Sequence, residues 1–188
     1  MTFKITDTEL EGLRIIEPKL FTDSRGYFFE SFNSQKMSDA GIKEVMVQDN
    51  ISKSKKGVLR GLHYQLKPFG QAKFLTVLSG RILDVAVDIR KTSPTYGRHF
   101  SVELTGGSGR LIFIPEGFAH GFVSLEDETI ILYKVGNYYS PENERGIRFN
   151  DPDLKIDWKL DEKELIITAR DLSFPLFSEA ENNFRYGE

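Results

Sequence analysis

Between Phe74 and Tyr139 the chain is a succession of short apolar or alternating segments, separated by turns that contain glycine or proline. These segments are Phe74–Leu78, Ile82–Ile89, His99–Leu104, Leu111–Ile114, Gly121–Leu125 and Thr129–Val135. In the second segment four apolar side chains share one strand face, and Asp84 and Asp88 occupy the other. Several short strands bounded by turn residues indicate a sandwich or a barrel. The sequence therefore predicts a mainly β fold.

The regions on either side of this block add few elements. Tyr27–Phe32 and Val45–Val47 are predicted to be strands, and Thr2–Arg14 an early strand that pairs with a neighbouring subunit. No linker, repeat or low-complexity tract divides the chain, so one domain is predicted over residues 1–188, with its core at about 13–177. The polar composition of 178–188 predicts a loose tail.

Two short helices are predicted near the ends of the chain. Ser34–Ala40 has Ser34 as its expected N-cap and is followed by Gly41. Asp161–Ile167 carries Glu164 three residues after Asp161, which is the spacing of a capping box. Both helices would flank the β block rather than interrupt it.

Composition excludes several classes of protein. The 188 residues carry 25 basic and 28 acidic side chains, a net charge of −3, without the basic face of a nucleic-acid binder. No apolar run is long enough to span a membrane, and the N-terminus lacks the apolar core of a secretory signal. The absence of cysteine removes disulfides, zinc–thiolate sites and thiol nucleophiles. A cytoplasmic protein is predicted.

Two of the three histidines lie in segments with a recognisable arrangement. They are RGLHYQ, residues 60–65, and IPEGFAHGF, residues 114–122. The segments resemble the paired motifs of the cupin superfamily, whose members form a double-stranded β-helix or jelly-roll barrel. This resemblance predicts an all-β cupin-type barrel with short flanking helices. The matching positions are Gly57 and His63 in the first motif, and Gly109, Pro115, Gly117 and His120 in the second.

The positions that hold a metal in cupins are altered here. Gln65 stands where the second histidine of the first motif belongs, and Lys73 stands where its glutamate belongs. An ammonium group has no lone pair to donate and repels a divalent cation, so no metal is expected. A lysine inside a small barrel is suited instead to stabilising a developing oxyanion. Periodicity alone also allows Lys73 to be a solvated surface charge.

Longer matches make the resemblance more specific. The chain resembles the dTDP-4-dehydrorhamnose 3,5-epimerase family of nucleotide-sugar epimerases from Leu13 to about Phe177. No single motif would be sufficient, but several occur in the right order. They are FTDSRGYFFE (21–30), QDNIS (48–52), VLRGLHYQ (58–65), DVAVDIR (84–90), and Tyr133 through YYSP (138–141).

The resemblance implies a reaction on a 4-keto-6-deoxyhexose attached to thymidine diphosphate. The hydrogens at C3 and C5 flank a ketone and are acidic, so epimerisation needs a base, a group that holds the enolate, and an acid on the opposite face. No cofactor is required. The family assigns His63 as the base with Asp171 as its carboxylate partner, Tyr133 as the proton donor, and Lys73 as the group that stabilises the enolate.

The remaining implied residues bind the nucleotide and the sugar. Guanidinium groups suit phosphate oxygens, and Arg170 stands where family members have lysine, which keeps the charge but changes the geometry. Tyr139 matches an aromatic residue that stacks on thymine. Family members are homodimers in which an N-terminal segment reaches the neighbour's site. The implied binding residues are Arg25, Glu30, Gln48, Asp49, Asn50, Arg60, His120, Tyr139, Glu144 and Arg170.

Three alternative functions stay open at the level of sequence. The first is an epimerase that acts only at C3 or only at C5 of a related dTDP-4-keto-6-deoxysugar, because it would share the base, the acid and the lysine. The second is a sugar-nucleotide-binding cupin without catalysis, which the joint presence of base, acid, lysine and aspartate disfavours. The third is a metal-dependent cupin oxygenase, which the lysine disfavours.

Overall fold

The computed structural model describes residues 3–187, and two antiparallel β-sheets dominate it. In spatial order, the first sheet contains β1 (Phe3–Asp7), β2 (Arg14–Pro18), β10 (Leu111–Ile114), β7 (Lys73–Ser79), β12 (Thr129–Val135) and β5 (Gln48–Ser54). The second contains β13 (Glu144–Gly146), β6 (Leu59–Gln65), β11 (Phe118–Ser124), β8 (Arg81–Asp88) and β9 (His99–Thr105). A separate hairpin pairs β3 (Phe21–Asp23) with β4 (Gly26–Phe28). The predicted all-β cupin-type barrel is confirmed.

The described helices are short, and each lies beside the sheets. They are α1 (Ser34–Asp39), α2 (Ala169–Leu172), and three 3₁₀ turns at Pro141–Asn143, Glu162–Glu164 and Phe177–Glu179. None of the helices within residues 3–187 has the length and apolar character needed to cross a membrane.

The two helix predictions are partly correct. α1 lies where it was expected, but its N-cap is Asn33, whose side chain accepts a hydrogen bond from the backbone N–H of Lys36. The capping box of Asp161 and Glu164 forms, yet it closes a single 3₁₀ turn, and the chain is extended again from Leu165. A cap fixes where a turn begins. The helix does not continue here, because the backbone of Ile166 is extended and bonds to Gly57 and Leu59.

The main core lies between the sheets. Leu75 and Ile131 of the first sheet pack there against Ile82, Ala86 and Phe122 of the second. A second cluster covers the outer face of the five-stranded sheet, where Val85 and Val87 meet Trp158 and Phe184. Strand β8 is therefore buried on both faces, and its polar face points into the barrel rather than to solvent. Asp84 and Asp88 are both fully buried.

The N-terminal strand predictions need correction. Strand β1 pairs with β2 of the same chain, with Ile5 opposite Ile16, and it forms the edge of the first sheet, so pairing of its other side with a neighbouring subunit stays a prediction. Thr2, the first residue of the predicted strand, lies outside the described residues. The predicted strand Tyr27–Phe32 is limited to the short β4, and Val45–Val47 precedes β5 without belonging to a strand.

The prediction of a loose tail at 178–188 is wrong for the described residues 178–187. The side chain of Phe184 is buried in the cluster behind the second sheet. The backbone of Lys91 bonds to Phe184 and Tyr186, and the Tyr64 hydroxyl donates to the Glu181 carbonyl at 2.5 Å. The segment is polar on average, but the burial of the single side chain of Phe184 holds it against the barrel.

Candidate active site

A cavity of about 480 Å³ opens between the two sheets at one end of the barrel. Strands β5, β7 and β12 form one wall, strands β6, β11 and β13 form the facing wall, and α2 lies at the rim. All four predicted catalytic residues line it, together with six of the predicted binding residues. The lining residues among these are His63, Lys73, Tyr133, Asp171, Asn50, Arg60, His120, Tyr139, Glu144 and Arg170.

His63 and Asp171 form a hydrogen-bonded pair at the cavity wall. His63 Nε2 lies 3.1 Å from Asp171 Oδ1, and the imidazole is partly exposed while the carboxylate is buried. The hydroxyl of Thr168 caps α2 by accepting from the Asp171 N–H, which fixes the carboxylate over β6. Burial acts to raise the pKa of Asp171, but the hydrogen bonds from His63, Thr168 and the Gly61 N–H lower it to about 2. The carboxylate is therefore ionised at neutral pH.

Two glycines bring the histidines of the two motifs together. Strands β6 and β11 pair in a register that places His63 directly opposite His120. At Gly61, φ is +132°, and a Cβ atom there would lie 2.4 Å from the Gly121 Cα atom. No side chain fits in such a space, so this close approach requires glycine.

The second histidine has its own carboxylate. His120 Nε2 lies 2.7 Å from Asp84 Oδ2, and both side chains are buried. Asp84 Oδ1 has no hydrogen-bond partner within residues 3–187. The sequence prediction missed Asp84 as a site residue, because strand alternation placed it on a polar face without showing that this face lines the barrel. Its position in the motif DVAVDIR was the available signal.

Lys73 lines the same cavity, and its surroundings change the pKa of its side chain. Burial lowers the pKa of its ammonium group to about 8, against the opposing influence of the Asp84 and Glu144 carboxylates. The interpretation of Lys73 as a solvated surface charge is wrong, because the side chain is partly buried and lines the cavity. A cation held in this way can stabilise negative charge that develops on a bound molecule.

Tyr133 enters the cavity from the sheet opposite His63. Its ring packs near Phe122, with the ring centroids 6.4 Å apart, and its hydroxyl lies 2.9 Å from Ser52 Oγ. Burial raises the pKa of the phenol to about 12, although the Ser52 hydrogen bond and the charge of Arg60 act in the other direction. The phenol is thus protonated at neutral pH and able to act as an acid.

A polar cluster forms the rim of the cavity. The Glu144 carboxylate accepts from Arg170 Nη1 at 2.7 Å and from the Tyr139 hydroxyl at 2.8 Å. These contacts leave the Tyr139 ring half exposed beside the opening. Gln65 supports the adjacent loop by bonding to the backbone of Phe69, Tyr138 and Ser140. An aromatic face and a guanidinium group therefore lie together at the entrance.

Four predicted binding residues do not line this cavity. Arg25 is paired with Asp23 in the exposed β3–β4 hairpin, and Glu30 is paired with Lys36 at 2.5 Å. Gln48 bonds to Asn50 and to the Tyr139 N–H, beside the lining. Asp49 projects from the opposite face of β5 and forms an ion pair with Lys134 at 2.8 Å. One chain therefore brings together only part of the predicted binding set.

The residues present do not fit a cupin metal ion. Within residues 3–187, no three side chains of the types His, Cys, Asp or Glu gather as a metal-binding group. The Gln65 amide, at a ligand position of the cupin motif, is occupied by backbone hydrogen bonds, and Lys73 supplies a positive charge. This donor set favours an anionic oxygen over a cation.

The fold and the site define a cupin-type barrel whose cavity is lined by a carboxylate-paired imidazole, a phenol and a lysine. A family model described as dTDP-4-dehydrorhamnose 3,5-epimerase matches residues 7–179. A protein of that name from Methanothermobacter thermautotrophicus is 50% identical over 171 residues, which cover 90% of this chain and 91% of the relative. The chain belongs to the dTDP-4-dehydrorhamnose 3,5-epimerase family.

Solved structures agree with this assignment. The chain is similar to a dTDP-6-deoxy-D-glucose-3,5-epimerase from Legionella pneumophila in complex with dTDP-4-keto-L-rhamnose, with a TM-score of 0.94 and 43% identity over 99% of this chain and 100% of the other. It is also similar to a 3'-monoepimerase from Streptomyces bikiniensis in complex with dTDP-quinovose, with a TM-score of 0.85 and 33% identity over 91% and 86% of the two chains. The fold is therefore shared by enzymes that invert different numbers of centres.

Proposed function

We propose that this chain epimerises dTDP-4-dehydro-6-deoxy-D-glucose at C3 and C5 to give dTDP-4-dehydro-L-rhamnose, for dTDP-rhamnose biosynthesis. One observation carries the proposal: a carboxylate-paired imidazole and a protonated phenol reach a single cavity from facing sheets. Inversion at a carbon beside a ketone needs a base on one face and an acid on the other. The membership of the family supplies the substrate.

His63 is the proposed base. The Asp171 carboxylate favours a proton on Nε2, so Nδ1 keeps its lone pair and accepts the proton from the sugar carbon. The imidazolium that forms is stabilised by the same carboxylate, which the low pKa of Asp171 keeps ionised. Asp171 thus orients the base and lowers the free energy of its protonated state.

Lys73 and His120 are the proposed partners of the enolate. Removing the proton moves an electron pair toward the C4 oxygen, where negative charge develops. The Lys73 ammonium lies in the cavity without a hydrogen bond to any side chain of residues 3–187, so it is available to that oxygen. His120, fixed by Asp84, adds a second polar group from the facing wall. Stabilising this charge is the main electrostatic task of the site.

Tyr133 completes the inversion. Its O–H bond breaks, and the proton forms a C–H bond on the face opposite His63, while the electron pair returns from the enolate to the ketone. Repeating the step at the second carbon inverts both centres without any cofactor. The proposed binding groups are Arg60 and Arg170 for the diphosphate, Tyr139 for the thymine ring, and Asn50 with Glu144 for the remaining contacts.

The proposed active form is a homodimer in which the N-terminal segment completes the neighbour's site. In support, the β3–β4 hairpin carries Arg25 and exposes Phe21, Tyr27 and Phe28 away from its own cavity. Sedimentation would give the mass of a dimer. Mixing Arg25→Ala with His63→Ala would restore activity in one of the two sites of a mixed dimer, and no recovery after subunit exchange would refute the shared site.

The chain is further proposed to be one domain that acts in the cytoplasm. Its lack of cysteine is compatible with a reducing compartment. A single cooperative unfolding transition and recovery in the soluble cell fraction are expected.

The direct test of the function is incubation with dTDP-4-keto-6-deoxy-D-glucose in deuterium oxide, followed by NMR of the product. Deuterium at both C3 and C5, with the L-rhamno configuration, is the expected result. The second candidate is an epimerase of one centre, which the similarity to the 3'-monoepimerase structure supports. Label and inversion at a single carbon would establish that candidate and exclude the first. A chain that binds dTDP but exchanges neither hydrogen would be a non-catalytic binding protein.

A further inference from the structure

Ser52 is a cavity residue that neither the base nor the enolate site uses. It lies on β5, the edge strand of the first sheet, opposite Ile131 of β12. Because opposed residues of antiparallel strands point to the same face, Ser52 shares the interior face with Ile131 and therefore with Tyr133, two residues further along. Its hydroxyl lies 2.9 Å from the phenol oxygen.

This contact is the only hydrogen bond that the Tyr133 hydroxyl makes to the residues the structure describes. The Tyr133 ring packs near Phe122 beside the apolar core between the sheets, and the side chain is partly buried where it lines the cavity. A phenolate formed at this partly buried position would be incompletely solvated, and such a charge is costly unless it is hydrogen-bonded. Ser52 is partly exposed on the edge strand, so its hydroxyl lies between the phenol and the side of the sheet that water can reach.

We propose that Ser52 is a positioning residue for the proton donor and the relay that restores it between the two inversions. The proposal rests on the proposed function. When Tyr133 has given its proton to the sugar carbon, the Ser52 O–H donates to the phenolate. Its proton then moves to the phenolate oxygen, and Ser52 takes a proton from water. The proton that His63 removed from the sugar returns to solvent, so the proton balance of the cycle closes.

A variant without the Ser52 hydroxyl is therefore expected to invert the sugar slowly while still exchanging its hydrogen. Ser52→Ala leaves the base side intact, so His63 still removes the proton and exchanges it for deuterium, and the deuterium can return to the same face. Delivery from the Tyr133 face becomes slow. The ratio of deuterium exchange to inversion is therefore expected to rise by roughly tenfold or more, within the usual range for losing general acid catalysis.

The experiment measures exchange and inversion together, by NMR in deuterium oxide, for four chains. These are the unaltered chain, Ser52→Ala, Ser52→Thr and Ser101→Ala. Ser52→Thr keeps a hydroxyl and is expected to restore most of the normal ratio. Ser101 is an exposed serine on β9, outside the cavity, and its replacement is the matched control with an unchanged ratio.

A raised ratio in Ser52→Ala that Ser52→Thr reverses would support the relay. An unchanged ratio would overturn it, whether both rates fall together or neither falls, because a purely structural effect lowers exchange and inversion alike. Failure of the proposed function is seen separately, since the unaltered chain would then show neither exchange nor inversion. That result would refute both proposals.

Discussion

The cavity contains two histidine–aspartate pairs that differ in their exposure. His63 is partly exposed and lies 3.1 Å from Asp171, which also receives a hydrogen bond from the Gly61 N–H. His120 is buried, lies 2.7 Å from Asp84, and leaves the second oxygen of that carboxylate unpaired. In the proposed mechanism the partly exposed imidazole of His63 exchanges its proton with water after each step, while the buried pair keeps a fixed charge distribution. The proposal therefore gives similar side chains different roles because their surroundings differ.

The largest expected difference between the pairs is in the histidines themselves. His63→Ala removes the base and is expected to lower kcat by about 10³- to 10⁴-fold, near the upper range of general base catalysis. His120→Ala removes one proposed contact to the enolate and is expected to lower kcat by about 10²-fold. Steady-state rates measured with both variants, with dTDP binding as the control for folding, would test this order. A larger loss in kcat for His120→Ala than for His63→Ala would show that His63 is not the base.

Replacing Asp171 is likewise expected to lower kcat more than replacing Asp84. Asp171→Asn can no longer stabilise the imidazolium and is expected to lower kcat by about 10²- to 10³-fold. Asp84→Asn only loosens the support of His120, with an expected loss of about tenfold, the scale of losing a supporting carboxylate. Equal losses in kcat would contradict the division of roles between the two pairs.

The close approach that joins the pairs can be tested through stability. In Gly61→Ala the new Cβ would meet Gly121 Cα at 2.4 Å and the His120 carbonyl oxygen at 2.8 Å. The free energy of unfolding is expected to fall by about 2 kcal/mol, from backbone strain and overpacking. Gly26→Ala is the matched control, because Gly26 has the same φ of +132° with nothing within 4 Å of the new Cβ. Denaturant unfolding that gives equal losses for both variants would show that strain in φ alone matters.

The last predicted effect is a change in the pH dependence of kcat/KM, which Lys73 and the neighbouring Asp84 of the buried pair control. The ammonium form of Lys73 is needed for the enolate and is lost as pH rises through about 8, so kcat/KM should fall by about tenfold per pH unit above that value. Tyr133 cannot cause this decline, because its pKa is about 12. Lys73→Arg should move the decline to higher pH. Asp84→Asn, which removes a charge that raises the Lys73 pKa, should move it to lower pH.

A pH profile that is the same in all three chains would separate Lys73 from the decline. The acid side of the profile is not expected to report Asp171, because hydrogen bonding keeps the pKa of its carboxyl at about 2.

The strands could be predicted because alternation is a local property. Leu111–Ile114 and Thr129–Val135 were predicted with the bounds that the structure shows. The role of Asp84 could not be predicted in this way, since alternation divides a strand into two faces without saying what covers each face. The packing of Phe184 behind β8 depends on contacts far apart in sequence. A local pattern does not contain such contacts.

The candidate site shows the same division. Resemblance gave the residue types of His63, Lys73, Tyr133 and Asp171, and the structure brings all four to one cavity. Arg25 and Glu30 lie in a matching motif but away from that cavity, and the proposed dimer would bring them to a neighbour's site. Nothing in the motif QDNIS distinguishes Ser52. Only the register of β5 against β12 shows that it lies beside the phenol.

The most direct test of two-sided proton exchange is the behaviour of Tyr133→Phe in deuterium oxide with the 4-keto sugar nucleotide. With His63 intact and the acid absent, the sugar should take up deuterium at C3 or C5 and keep its original configuration. Inversion at the rate of the unaltered chain would contradict the account, because the proton on the opposite face would then come from a group other than the phenol.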